Sequence, residues 1–302
     1  SLLFKEVKNI RTAIKKLQAY NEGKLYEEAD VILGTPVGLY DARIDKMHFH
    51  TIVIDEAGQC IEPLAWCVFP LADKYVLAGD HLQLPPTVLS QEAVKLGLNR
   101  SILEISIDTI SNVHLLNTQY RMRQAIAGFS GNYFYNSLLL TDSKLANVGI
   151  HITFIDTAGS GLNEASGNDG ISLQNVGELK IVEKLLDEAS FDLQKTAFIS
   201  PYAGQVAAAK EVLPKQMRIS TIDSFQGQEE ETIILSLVRS NDETEIGFLK
   251  DYRRMNVAIT RAKEQLFVIG DSATIGADPF YNSFLGYVEK FGNYRSAWEF
   301  SL

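Results

Sequence analysis

From Asp30 onward one pattern repeats: a short apolar run, a polar loop, then apolar residues at helical spacing. The runs predict strands at Val31–Gly34, Thr51–Asp55, Tyr75–Ala78, His114–Leu116, Ile152–Asp156, Thr196–Ser200, Arg218–Thr221, Thr232–Val238 and Leu266–Ile269. Several are continuously apolar, as parallel strands covered on both faces must be. Helical spacing predicts helices over Gln91–Leu98, Arg123–Tyr133, Gln174–Ala189, Gly204–Val212, Tyr252–Ala262 and Pro279–Lys290. Alternating strands and helices define an α/β architecture, with ligand sites at the carboxyl ends of parallel strands. Ahead of this lies one amphipathic helix, its seam formed by Leu3, Val7, Ile10, Ile14 and Leu17. Lys5, Lys8, Arg11, Lys15 and Lys16 lie largely off that seam. They read as the solvated face of a packed helix in preference to a basic arm beside nucleic acid.

Thr157–Gly170, rich in Gly, Ser and Asn, reads as a long exposed loop. A domain boundary fits near Asn117. The expected division is a helical arm or insertion over 1–30, the end of a first domain over 31–117, a second domain over 118–290 and a tail over 291–302.

The length of 302 residues suits two domains and puts no limit on building a core. A net charge of −10 argues against a protein that coats nucleic acid indiscriminately. It leaves room for one that grips and releases a strand. No apolar run is long enough to span a bilayer and the N-terminus does not read as a signal peptide, so no membrane partner and a cytoplasmic (or, in a eukaryote, nuclear) location are expected. Cys60 and Cys67 have no further Cys or His cluster beside them and read as small buried residues in a reducing compartment.

Five segments carry candidate chemistry. The strand Thr51–Ile54 ends in Asp55-Glu56. The first acid can hold Mg²⁺ through water, since hard cations prefer oxygen ligands, and the second can orient an attacking water. Alone, such a pair is common at strand ends. Gly79-Asp80 ends the next strand, and the neutral amide of Gln83 can contact a terminal phosphate or its water. Gln119-Tyr120-Arg121-Met122 supplies a ring able to stack on a base and a guanidinium suited to phosphate. On its own, Tyr120-Arg121 reads better as a surface Tyr and a helix-capping Arg. In Thr221–Glu229, Gly227 permits close backbone approach to phosphate and Glu229 can accept from ribose hydroxyls. Ser220, Thr221 and Ser224 can contact a nucleic-acid backbone. In Asn256-Val257-Ala258-Ile259-Thr260-Arg261-Ala262, Arg261 can stabilise charge on a transferred phosphoryl group. Alone, it reads as a helix-face Arg paired with Glu264 or Asp271.

Taken in order, the five segments resemble those of superfamily 1 helicases, in particular the 5′-to-3′ group of Upf-like and Smubp-like helicases. The resemblance covers roughly Asp30 to Phe284. It implies two RecA-like parallel-sheet domains, the first truncated at its N-terminus, with ATP and Mg²⁺ between them and single-stranded RNA or DNA across both. It implies Asp55 and Glu56 as the acid pair of the ATP site, with Asp55 holding Mg²⁺ through water. Gln83 becomes the γ-phosphate sensor, Tyr120 the adenine-stacking ring, Arg121 a γ-phosphate contact and Arg261 the arginine finger. Gly227 and Glu229 become nucleotide contacts, and Thr35, Pro36, Pro201, Tyr202 and Thr221 line the strand path. Ala57-Gly58 stand where relatives often carry Ala or Ser and then a small polar residue.

One part is missing. No G-x-x-x-x-G-K-[ST] loop occurs, and the single Gly-Lys pair, Gly23-Lys24, is followed by Leu25. The start at Ser1-Leu2-Leu3 without Met, together with this omission, suggests a piece of a longer ATP-dependent helicase, inactive by itself. The alternatives are a non-hydrolysing nucleic-acid-binding module and a translocase ATPase that does not unwind.

Overall fold

The computed structural model describes residues 2–18, 22–40, 44, 46–146, 149–167, 170–188 and 190–300, with the side chains of 16–18 and 22–24 left aside. The chain divides into two units, one made of residues 1–81 and 85–111, the other of 82–84 and 112–302.

In the first unit, helix α1 spans Leu2–Gln18. Its seam residues Leu3, Val7, Ile10 and Ile14 are exposed, so the expectation of a packed helix is corrected over them; the Leu17 side chain lies outside the described residues. The predicted strand at Val31–Gly34 is absent. That stretch is irregular and leads to a short helix, Pro36–Leu39, which Thr35 caps by accepting from the Gly38 N–H. Proline at the first helical position explains the switch, because it supplies a helical φ and needs no donor there. Strands β1 (Phe49–Ile54) and β2 (Ala72–Leu77) pair in parallel, with Ile54 opposite Leu77. Ile54, Ala57, Ala65, Val68, Ile102 and Leu103 form the core beneath them. Val53 and Val76, register partners on the opposite face, are exposed, so among the described residues of this unit the sheet is covered on one face only. Ser101 starts the helix Ile102–Ile107 with a reciprocal cap: its Oγ accepts from the Glu104 N–H, and the Glu104 carboxylate accepts from the Ser101 N–H.

The second unit runs in order through helix α2 (Gln124–Phe134), strand β3 (Ile152–Asp156), helix α3 (Val176–Glu188), strand β4 (Thr196–Ser200), helix α4 (Ala203–Val212), strands β5 (Arg218–Thr221) and β6 (Glu230–Ser236), helix α5 (Tyr252–Ile259), strand β7 (Ala262–Gly270), helix α6 (Pro279–Phe291) and strand β8 (Asn293–Ser296). Its six-stranded sheet has the order β8-β3-β7-β6-β4-β5, and every neighbouring pair is parallel.

Successive side chains on a strand point to opposite faces. Phe154, Ile233 and Leu235 therefore enter one core with Phe129, Val257, Phe280 and Phe284, while Ile155, Ile234 and Ile269 enter a second with Leu179, Val182 and Ala209. Two apolar layers require continuously apolar strands, which is why β3, β4 and β6 were legible in the sequence. Two expectations fail. His114–Leu116 forms no strand; Leu115 and Leu116 are exposed, and His114 bonds Asn112 at 2.8 Å. The segment read as a tail supplies β8, whose mixed sequence suits the edge of the sheet, and Ala297 and Phe300 beyond it are buried. The loop after β3 contains a small antiparallel pair, Ala165–Ser166 with Leu173–Gln174.

Candidate functional site

At the carboxyl end of β1, Asp55 and Glu56 are both exposed. Glu56 takes a left-handed conformation, with φ at 51°, and its N–H donates to Asp55 Oδ1 at 3.0 Å. The Gln59 amide donates to Glu56 Oε2 at 3.1 Å. Left-handed backbone is uncommon for a residue other than glycine and costs about 1–3 kcal/mol. Here it ends the strand and sends two adjacent acids out at one rim. Beside them the turn after β2 presses in: a Cβ on Gly58 would lie 2.6 Å from the Asp80 carbonyl oxygen. Gly58 is thus the residue that lets the two strand ends approach. Among the described residues no group of three or more His, Cys, Asp or Glu could hold a metal ion. The exposed oxygens of Asp55 still fit a Mg²⁺ ion held through its own waters, which asks for few protein ligands.

In the second unit the site grows from one glutamine. Gln119 Oε1 accepts from the backbone N–H groups of Arg121 and Met122 at 2.9 and 2.8 Å. Its amide donates to the Met122 carbonyl and to Thr141 Oγ1. The turn so formed presents Tyr120, 73% exposed, and beside it Arg121. Arg121 pairs with the Glu229 carboxylate and donates to the Thr260 carbonyl at 3.2 Å. Lys263 Nζ lies 2.8 Å from the other Glu229 oxygen. Gln119, Tyr120, Arg121, Met122, Glu229 and Lys263 line a cleft of about 570 Å³. The hydrogen bond from Lys263, with Arg121 adding to it, holds the Glu229 carboxyl below the usual carboxylate range. An exposed ring, two cations and a carboxylate around one cleft can take a base, anionic oxygens and sugar hydroxyls together.

Gly227 stands nearby in the left-handed region, with φ at 75°, and open space where a Cβ would be. Arg261 is buried, with 3% exposure. It donates to the carbonyls of Val257 (3.0 Å) and Gln228 (3.4 Å), to Thr260 Oγ1 (3.1 Å) and to Gln83 Oε1 (3.3 Å). Glu264 is ion-paired with Arg123 at 2.6 Å. Asn256, buried on α5, donates to the Leu82 carbonyl at 2.9 Å and to Tyr135 Oη at 3.0 Å, pinning the segment that carries Gln83.

Of the residues expected along a strand path, Thr35 is exposed and spends its hydroxyl on a helix cap, with Pro36 half-buried behind it. Pro201 and Thr221 are half-buried at the ends of β4 and β5, whose terminal residues Ser200 and Thr221 are register partners. Thr221 Oγ1 lies 3.0 Å from Ser224 Oγ. Tyr202 is only 3% exposed, so its ring supports this rim from below and does not offer a free face.

Gln119 and Asn256 fall inside two of the five segments without a role of their own, and Lys263 lies just beyond the last. Lys263 reaches Glu229 because parallel pairing sets Glu230 opposite Ala262, a register that no local pattern encodes. Asn256 carried one readable signal, a polar residue on the apolar face of α5.

Residues 98–273 match the AAA_12 family and residues 2–91 the AAA_11 family, both described as an AAA domain. The chain belongs to the AAA domain family, and within it to the superfamily 1 helicases of the Upf1 and SMUBP-2 kind. It is 34% identical to DNA-binding protein SMUBP-2 of Mesocricetus auratus, over 98% of this chain and 32% of the relative. To DNA polymerase alpha-associated DNA helicase A of Schizosaccharomyces pombe it is 32% identical, over 95% of this chain and 47% of that protein. To regulator of nonsense transcripts 1 of Dictyostelium discoideum it is 34% identical, over 90% and 22%. The chain thus spans less than half the length of each of these relatives. Among the described residues no helix is long and apolar enough to cross a membrane.

Proposed function

We propose that this chain forms part of an ATP-dependent helicase or translocase that moves along single-stranded RNA or DNA. The observation that carries the reading is the cleft where Tyr120, Arg121, Glu229 and Lys263 converge, with Arg261 held on Gln83 in the same unit. The residues in and around it would each meet one part of a nucleoside triphosphate. The Tyr120 ring would stack on the base and Glu229 would accept from the ribose. Arg121 would leave Glu229 for phosphate oxygens. Gly227 would let the backbone come close. Arg261 would meet charge that develops on the transferred phosphoryl group, and Gln83 would sense whether that group is present.

On the first unit, Glu56 would orient the attacking water and Asp55 would hold the hydrated Mg²⁺. The ion supplies charge neutralisation on the phosphate oxygens when bound. Thr35 with Pro36, and Pro201 with Thr221, would border the strand, with Tyr202 beneath. Phosphoryl transfer depends on positioning of the β- and γ-phosphates, and the chain carries no phosphate-loop sequence. The 302-residue chain alone is therefore expected to turn over no ATP above background.

The test uses a longer protein that carries this chain together with a phosphate loop. Its hydrolysis should be Mg²⁺-dependent and stimulated by single strands, and Glu56→Gln should abolish turnover while nucleotide still binds. Normal turnover by that variant would remove Glu56 from its proposed role. Single-strand-stimulated hydrolysis without duplex separation would select the translocase form of the proposal.

A further inference from the structure

Beyond the nucleotide cleft, the loop that follows β6 presents one aromatic ring to solvent in a way the fold has to work for. Ile246 and Leu249 are buried, yet Phe248 between them is 62% exposed. Gly247 makes this possible. Its φ of 53° is left-handed, and a Cβ there would sit 2.6 Å from Arg239 Nη1 and 3.1 Å from Tyr202 Oη. A side chain at that position would be strained, and the Arg239 and Tyr202 side-chain ends would have to shift, so glycine suits the turn. Phe248 rests on the buried Tyr202 ring, with centroids 5.6 Å apart and planes tilted by 42°. The Arg254 guanidinium carbon lies 5.9 Å from the Phe248 centroid. Arg254 is fixed there by Asp223 at 3.2 Å and Asp251 at 3.3 Å. Asp223 stands between Thr221 and Ser224 in sequence, whose hydroxyls are 3.0 Å apart, and Tyr202 follows Pro201. A continuous chain of contacts therefore joins the exposed ring to the polar rim at the ends of β4 and β5.

We infer that Phe248 is a stacking platform for one base of the bound single strand. The inference rests on the strand-path reading above and adds to it the residue that holds a base. Phe248 has no polar atom to engage water, so the free part of its face suits a flat apolar surface. At the rim reached through Arg254 and Asp223, the Thr221 and Ser224 hydroxyls offer contacts to the sugar-phosphate chain. Arg254 is already neutralised by two carboxylates, so the patch is built to hold a base and not to clamp phosphate. Stacking of this kind accepts any base, because every base has a π-face.

The experiment measures binding of the 302-residue chain to fluorescent single-stranded RNA and DNA oligonucleotides by anisotropy. A matched strand with abasic sites is the control, and salt is varied. Phe248→Ala and Phe248→Leu should weaken binding to the base-bearing strand by about tenfold, the scale of one lost stack. Phe248→Trp should retain it. On the abasic strand all variants should bind like the wild-type chain, and the salt dependence should be unchanged, since no phosphate contact is lost. Phe248→Leu keeps an apolar side chain and so guards against loss of fold as the cause. Equal affinity of wild type and both truncations for the base-bearing strand overturns the inference and leaves the strand-path reading intact, as does an equal loss on both strands. Failure of the wild-type chain to bind any single strand overturns the strand-path reading itself, and this inference with it.

Discussion

Arg261 Nη2 donates to Gln83 Oε1 at 3.3 Å, joining residues 178 positions apart in the chain. The contact couples the proposed sensor of the terminal phosphate to the guanidinium proposed to stabilise its transfer. Arg261 is anchored besides on the carbonyls of Val257 and Gln228.

Arg261→Lys keeps the charge but loses the planar fork that reaches several acceptors at once. In a parent protein with a phosphate loop it should cut hydrolysis by ~10³-fold or more, the scale of an arginine finger. It should also lower stability by about 1–3 kcal/mol, because buried acceptors lose a donor. Gln83→Ala should cost hydrolysis with little loss of stability. ATPase rates and urea denaturation of both variants separate the two effects, and an Arg261→Lys protein with wild-type turnover would rule out the finger role.

The Lys263 hydrogen bond lowers the Glu229 carboxyl. Because the folded carboxyl sits below its ordinary value, its favourable pairing is present above the usual carboxylate range and is lost as pH falls through the lowered value. Lys263→Met should move the Glu229 titration upward, as followed by NMR of the side-chain carboxyl. The same change should weaken nucleotide binding first at the acidic end of the pH range. An unmoved titration would show that Arg121 alone controls Glu229.

Glu178 titrates in the opposite sense. It lies fully buried on α3, accepting from Ser236 Oγ at 2.5 Å and from the Val238 N–H at 3.1 Å. Burial pushes its carboxyl up to about 8, with the nearby acids Asp271 and Glu164 adding to the rise. The folded protein therefore holds a proton that the unfolded chain releases near 4.5, and stability should fall as pH rises from about 4.5 to about 8. Glu178→Gln, neutral throughout, should flatten the melting temperature across that window. A wild-type melting temperature that rises steadily from pH 5 to pH 8 would contradict the assignment.

Gly58→Ala tests the approach of the strand ends in the first unit. The added methyl would meet the Asp80 carbonyl oxygen at 2.6 Å, and backbone on both sides leaves little room to yield. A loss of about 1–3 kcal/mol is expected, as for other overpacked sites, read by chemical denaturation. Since Asp55 and Glu56 leave the same turn, the parent's hydrolysis should drop as well. Unchanged stability would mean that the turns part without cost.

The sequence alone determined the alternation of strands and helices, because strands buried on both faces must be apolar throughout. For the same reason β3 and β4 were read with the boundaries the structure has. It also determined which residue types meet a nucleotide, since acids, glycines and arginines at strand ends declare themselves locally. Only the tertiary structure decided who partners whom. Nothing near Glu229 in the chain points to Lys263, and nothing near Gln83 points to Asn256 or Arg261, because those pairings follow from parallel register and helix packing across long separations. It also decided exposure. Tyr202 and Phe248 are both aromatic residues of loops in the sequence, yet one is buried as support and the other faces solvent, a difference set by the left-handed turn at Gly247 and the ring packed beneath it.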